Sequence, residues 1–163
     1  MWLSDRRKFL LLGLAMLSGC GYRPVYGPGG VGNMLRGQVL ARAPADDREF
    51  VLVHQLEQRF GRTRNARYGL DYRLELREAG LAITPAQETT RFHVLGKAGF
   101  VLHDRTTGSR LASGTVDSFT SYSATGTTVN TQAARDDAYR RLMVILADKI
   151  VSHLFALSPE VLK

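Results

Sequence analysis

The chain has 163 residues, 44% of them hydrophobic, 23% charged and 9% aromatic. This ordinary globular composition excludes a disordered chain and a polytopic membrane protein, and the length fits one domain of roughly 100–150 residues with a small addition. Twenty-two Lys and Arg against 15 Asp and Glu give +7, with 18 arginines among the bases, a balance that suits an anionic partner such as nucleic acid, phospholipid or phosphorylated glycolipid; the single cysteine rules out an intramolecular disulfide.

The N-terminus narrows these choices. Arg6, Arg7 and Lys8 precede Phe9 to Leu17, which are all apolar or glycine. A bilayer-spanning helix needs about 20 apolar residues, so the run is too short to anchor stably and has the size of a signal-peptide core. It ends in Leu17-Ser18-Gly19-Cys20, which resembles the lipobox of bacterial lipoproteins. The resemblance implies that residues 1–19 are a signal peptide cut just before Cys20. It also implies that the Cys20 sulfur takes a diacylglyceryl group and its new amino group a third acyl chain. Three chains exceed the two-signal threshold for stable anchoring. Arg6-Arg7-Lys8-Phe9-Leu10 also looks like a twin-arginine signal, leaving the export route open. Gly21 stands where an aspartate would resemble an inner-membrane retention signal, which favours sorting to the outer membrane. Cleavage leaves 19 bases against 14 acids, and an exported protein meets phospholipid headgroups and lipopolysaccharide rather than nucleic acid.

Residues 20–34 read as a lipidated flexible tether, because Gly27-Pro28-Gly29-Gly30-Val31-Gly32 is too glycine-rich to pack. Its match to G-x-G-x-x-G is accidental, since no buried strand precedes it. A single domain is expected over 35–163. Within it, Gln38 to Ala41 read as a short strand closed by Pro44. Asp46 with Glu49 has capping-box spacing, and Val53, Leu56 and Phe60 share a helical face, so the pattern predicts a helix over 46–60 with Gly61 ending it. Leu70, Tyr72, Leu74 and Leu76 alternate with charged residues, and Phe92, Val94, Ala98, Phe100 and Leu102 repeat the period of two. A turn at 104–108 leads to a Ser/Thr-rich strand over 111–122. Ala138, Leu142, Leu146, Ile150 and Leu154 form the stripe of a last helix over about 131–157, stopped by Ser158-Pro159. The order predicts an α+β two-layer sandwich, with two helices on one face of a mostly antiparallel four-stranded sheet.

Catalysis finds little support. His54, His93, His103 and His153 lack metal-ligand spacing, there is no G-x-S-x-G elbow, and acylated Cys20 would be no nucleophile. Asp46-Asp47 and Asp136-Asp137 sit at helix starts, where carboxylates suit the positive dipole end. No enzyme activity, metal or cofactor is expected. Arg59, Arg62, Arg64 and Arg67 fall in a stretch without an acid, and Arg73 and Arg77 follow on the polar side of the next strand. Guanidinium groups pair phosphate bidentately, although a solvated or salt-bridged face explains the same pattern.

Cys20-Gly21-Tyr22-Arg23-Pro24-Val25-Tyr26-Gly27 after a lipobox resembles the mature start of the LptE lipopolysaccharide-assembly lipoproteins in their alphaproteobacterial form. Ser118-Phe119-Thr120-Ser121-Tyr122, followed by Ala133 to Leu142, is similar to that family's last strand running into its C-terminal helix. The likeness spans the mature chain but is specific only at its two ends. It implies a lipid-anchored, periplasm-facing protein of the outer membrane that plugs and helps assemble the LptD β-barrel translocon and binds lipopolysaccharide. It further implies ligand contacts toward the strand connections of the sheet. There, charge and placement select Arg77, Arg91, Lys97 and Arg105. A free-standing lipid-binding or envelope-scaffolding lipoprotein without a barrel partner is the alternative.

Overall fold

The computed structural model describes residues 24–83, 89–124 and 127–162. Cys20 and the expected signal peptide lie outside the described residues. A four-stranded sheet in the order β1-β2-β3-β4 carries helices on one face. The strands are β1 (Val39–Ala41), β2 (Tyr68–Ile83), β3 (Thr89–Asp104) and β4 (Arg110–Ser123), and the helices are α1 (Val31–Leu35), α2 (Asp47–Phe60) and α3 (Thr128–Phe155). β2, β3 and β4 form an antiparallel meander, while β1 joins β2 in parallel through Val39 opposite Tyr68. The α+β layered architecture is the one the periodicities predict.

The stretch expected to be a tether packs from Val31 onward. Val31 and Leu35 belong to the core, at 4% and 0% exposure. The glycines fold this segment back rather than leave it loose. Gly27 N–H donates to Pro24 O and Gly30 N–H to Gly27 O, both at 2.9 Å, and the Asn33 amide holds Tyr26 O and Gly27 O at 2.8 and 2.9 Å. Tyr26 stands edge-on to Phe155 with ring centroids 5.5 Å apart. Helical periodicity is unreadable over five residues, so α1 has no sequence signature.

Asp46 caps α2 as its spacing predicts, while Glu49 reaches back one residue beyond the cap. Asp46 accepts from Glu49 N–H at 2.7 Å, while the Glu49 carboxylate accepts from Ala45 N–H at 2.8 Å, so each free amide gains a partner. Gly61 ends the helix at φ 85°, a conformation that favours glycine. At the start of α3 the cap is Thr127, whose hydroxyl accepts from Asn130 N–H at 3.4 Å, so the helix begins three residues before the expected position. Its apolar face is also twice as wide as the expected stripe. Ala138, Leu142, Leu146, Ile150 and Leu154 are joined by Tyr139, Met143, Ala147 and Val151. The reason is geometric: α3 covers the sheet and α2 at once. Gly96 permits the first contact, since a Cβ there would come within 2.9 Å of Leu142.

Contacts between the helices advance in step along both chains. The Arg48 guanidinium lies 3.8 Å from the Tyr139 ring centroid, the Gln55 amide donates to Asp148 at 3.1 Å, and Phe60 meets Phe155 edge-on at 5.9 Å. The helices therefore run parallel, and both C-termini reach the same end of the molecule. A final 3-10 turn (Pro159–Leu162) closes that end, with the Tyr68 hydroxyl donating to Leu162 O at 2.8 Å.

At the opposite end Arg135 of α3 bonds Glu78 of β2 through Nε at 2.6 Å and Nη2 at 3.2 Å. Burial resists ionisation of Glu78. Hydrogen bonds from Arg135 and Tyr139, with the charges of Arg135 and Arg48, outweigh it and hold the carboxyl below its ordinary value. Because the folded-state value is depressed, this stabilisation is complete above the unfolded-state value and disappears as pH falls through the folded one. Glu78→Gln is accordingly expected to lower stability at neutral pH by about 1 kcal/mol, with the partial exposure of the pair limiting the effect. The same substitution should flatten the acid limb of a urea-unfolding series measured between neutral and acid pH.

Candidate functional site

One face of the meander is covered by the helices and the other is open. Even-numbered residues of β2 and β3, among them Leu70, Tyr72, Val94, Ala98, Phe100 and Leu102, point into the core. Odd positions line the open face, as a period of two requires. Across it the register sets Arg77 beside Leu95 and Phe119, Glu75 beside Lys97 and Asp117, and Arg73 beside Gly99 and Thr115. Phe119 is 60% exposed and Leu95 41%, and they form an apolar strip with His93, whose ring lies 5.0 Å from that of Phe119. A groove of about 330 Å³ runs over this strip, lined by Arg77, Leu95, Lys97 and Phe119 among others. Beside it, where Gly99 leaves the sheet bare, lies a second hollow of about 460 Å³ reaching Arg73, Val101 and Thr115.

The candidate basic residues divide. Arg77, Arg91 and Lys97 all occupy odd positions of β2 and β3 and are exposed on the open face. Lys97 is flanked on both sides by carboxylates, Glu75 and Asp117, which already offset its charge. Arg105 stands at the other end, in the β3–β4 turn, where its Nη1 donates to Ala66 O at 2.9 Å. Fourteen residues of extended strand and turn separate it from Arg91, or about 45 Å. One site cannot contain all four.

The arginine run between α2 and β2 is largely committed within the domain. Arg59 bonds Asp148 at 2.9 Å, Arg62 bonds Glu57 at 2.7 Å, and Arg67 bonds Asp104 at 3.2 Å. Asp104 organises the β3–β4 turn. The Thr106 and Thr107 amides hold its carboxyl below the ordinary value, burial opposes them, and Arg67 adds to their effect. Arg64 instead lines a cavity of about 520 Å³ with Phe50 and His54. His103 faces Asp71 at 3.4 Å. Among the described residues no cluster of three His, Cys, Asp or Glu is placed to hold a metal.

The two sequence words near the C-terminus acquire physical roles. Thr120 is buried and donates to Ala138 O at 2.8 Å, Tyr122 stacks on Phe92 at 5.3 Å, and Phe119 and Ser121 turn outward. Arg135, Ala138 and Tyr139 tie α3 to β2, β4 and α2 in turn. Arg141 bonds Asp137 at 2.8 Å and Ser121 O at 3.3 Å, while Lys149 donates to Asp117 O at 2.5 Å. These cations occupy edge carbonyls of β4, which limits strand-to-strand association along it.

The layered sheet-and-helix fold is shared with solved structures of bacterial lipoproteins. It superposes on a protein of Caulobacter crescentus CB15 with a TM-score of 0.61 at 21% identity, covering 77% of this chain and 92% of that one. A minor lipoprotein from Acinetobacter baumannii gives a TM-score of 0.54 at 22% identity, over 76% of this chain and 92% of the other. The rare lipoprotein B from Shewanella oneidensis gives 0.55 at 10%, over 72% and 91%. A sequence search among curated proteins finds no significant match. The family model described as LptE, lipopolysaccharide-assembly, matches residues 38–154. The chain therefore belongs to the LptE lipopolysaccharide-assembly family, with a role in lipopolysaccharide assembly at the outer membrane.

Proposed function

We propose that this protein plugs and helps assemble the LptD β-barrel translocon and binds lipopolysaccharide for delivery to the cell surface. In this reading it is a palmitate-bearing lipoprotein held on the periplasmic side of the outer membrane through Cys20, and its domain enters the barrel lumen. The observation that carries the proposal is the open sheet face. Three long strands present an apolar strip of Leu95 and Phe119 inside a mixed-charge border, and no element among the described residues covers it. A large exposed aromatic beside an aliphatic residue, rimmed by polar groups, has the composition of a protein-contact surface. Arg77 and Arg91 on the same face supply guanidinium groups for lipopolysaccharide phosphates, with Lys97 a weaker contributor because of its two neighbouring carboxylates.

Phe119→Asp tests the reading without touching the core, because Phe119 is 60% exposed. The expected result is an unchanged thermal transition together with loss of most LptD co-purification in mild detergent. Truncation of a central aromatic anchor typically costs at least about 2 kcal/mol of binding, near thirtyfold. An unsubstituted protein that captures no barrel under these conditions excludes the plug and leaves the scaffold reading.

A further inference from the structure

The two edges of the sheet are finished differently. Along β4 the outward carbonyls of Asp117 and Ser121 are taken by Lys149 and Arg141. The outer edge of β2 has no such closure. β1 covers it only from Tyr68 to Leu70, and the last backbone bond across this edge among the described residues is Arg42 N–H donating to Leu70 O at 2.9 Å. Tyr68 N–H and Leu70 O both point outward, so even positions of β2 carry the edge groups. Odd positions turn theirs to β3, as alternate residues of an antiparallel pair must. From Tyr72 to Gly80, where a register shift interrupts the ladder, the edge runs free over about 30 Å. Burial falls along the same stretch. Leu74 and Leu76 point to the helix layer yet are only partly buried, whereas Val94 and Ala98 on β3 are at 0% exposure.

We infer that this free edge takes up an extended segment of the barrel partner as a further strand, one along which base and acid alternate. The inference rests on the plug reading above and names what part of the partner the edge holds. Unpaired N–H and C=O groups on an edge are a template for strand addition, and charge selects the occupant. On the open face Asp71, Arg73, Glu75 and Arg77 alternate in sign along β2. An added strand with the opposite alternation gains a favourable pair at each step, and one of uniform charge does not. Arg77 also lines the groove over Leu95 and Phe119, so the edge continues the face assigned to the same partner. Room above the edge decides between a segment and a whole domain. α2 stands over β2 here, with the Tyr72 hydroxyl donating to Glu49 at 3.1 Å. A second copy paired through β2 would set its own α2 beside this one on strands about 4.8 Å apart, less than the roughly 8–10 Å that packed helices need. A single extended segment brings no such helix.

Amide hydrogen exchange reads this edge directly, because even and odd amides of β2 face different neighbours. It is measured residue by residue on the protein purified from membranes in mild detergent, alone and in its co-purified complex with LptD. The amides of Leu74, Leu76 and Glu78 should exchange fast in the protein alone and at least about tenfold more slowly in the complex. Those of Arg73, Glu75 and Arg77, which face β3, should be slow in both. Glu75→Arg, at an exposed position, exchanges attraction for repulsion and should cut the gained protection about fivefold. Asp117→Arg removes the other carboxylate beside Lys97 from a strand remote from the edge, and should leave that protection near the parent's. A complex whose even amides exchange as in the protein alone, or gain equal protection in Glu75→Arg, overturns the edge inference and leaves the plug standing. Even amides that slow with rising protein concentration in the absence of LptD give the edge to a second copy, and overturn it likewise. Protein that captures no LptD overturns the plug reading, and the edge inference with it.

Discussion

Leu146→Asp is expected to abolish the cooperative unfolding transition. Leu146 is fully buried at 0% exposure, on the line where α3 crosses the middle of the sheet, close enough to Gly96 that a Cβ there would lie 3.0 Å from its Cδ1. Removing a buried leucine side chain alone costs about 2–5 kcal/mol through lost transfer energy and the cavity left behind. An aspartate adds a carboxylate with no partner, and that group must either lose its hydration or take up a proton at the expense of several kcal/mol more. Domain stability is about 5–15 kcal/mol in total, so the substitution consumes most or all of it. Near-ultraviolet circular dichroism should collapse and the thermal transition should broaden or vanish. Leu146→Met, which preserves volume, should remain within about 1.5 kcal/mol of the parent. A cooperative transition for the aspartate variant close to that of the parent would show that α3 does not pack on the sheet as described.

The amphipathic periods read from the sequence were sufficient for most of this architecture because each long strand buries one face only and α3 lays its main stripe on the sheet. Leu70 and Tyr72 on β2, Val94 to Leu102 on β3, and the Ala138-to-Leu154 stripe on α3 all face the layer that their spacing indicates. The second stripe of α3, Tyr139 to Val151, was not legible, because it is set by parallel packing against α2 and not by the sheet. The contribution of Val31 and Leu35 was hidden by the glycines around them. Composition reports the freedom of a glycine-rich segment, and here local hydrogen bonds from Asn33 and two turn amides remove that freedom. Charge was the least readable property. Arg59, Arg62 and Arg67 look alike in sequence, yet each meets a different carboxylate, and Asp148 and Asp104 lie 89 and 37 residues from their partners. The open face could be inferred from alternation at Arg73 and Arg77, whereas the exposure of Phe119 beside Leu95 depended on the β3–β4 register.

Cys20→Ala should release the protein from the membrane more completely than any substitution in the folded domain. No helix among the described residues is long and apolar enough to cross a bilayer, so in the proposed reading stable attachment depends on the acyl chains. Each buried methylene contributes about 0.8 kcal/mol, and a single acyl chain binds only marginally, whereas two or more hold a protein durably. Without the thiol no diacylglyceryl group is added, and the lipoprotein cleavage that follows this addition does not occur. The variant should therefore retain residues 1–19. Their apolar run, Phe9 to Leu17, falls well short of the roughly 20 residues of a spanning helix, so the uncleaved chain should be extracted from membranes by conditions that leave the acylated protein in place. Intact-mass measurement distinguishes the two forms: the parent should begin at Cys20 and carry acyl mass, and the variant should begin upstream without it. If the parent itself retains residues 1–19 and carries no acyl mass, the anchor lies elsewhere. If Cys20→Ala resists extraction as firmly as the parent, the acyl chains are not what holds the domain at the membrane, and contact through the barrel must be strong enough to do so alone.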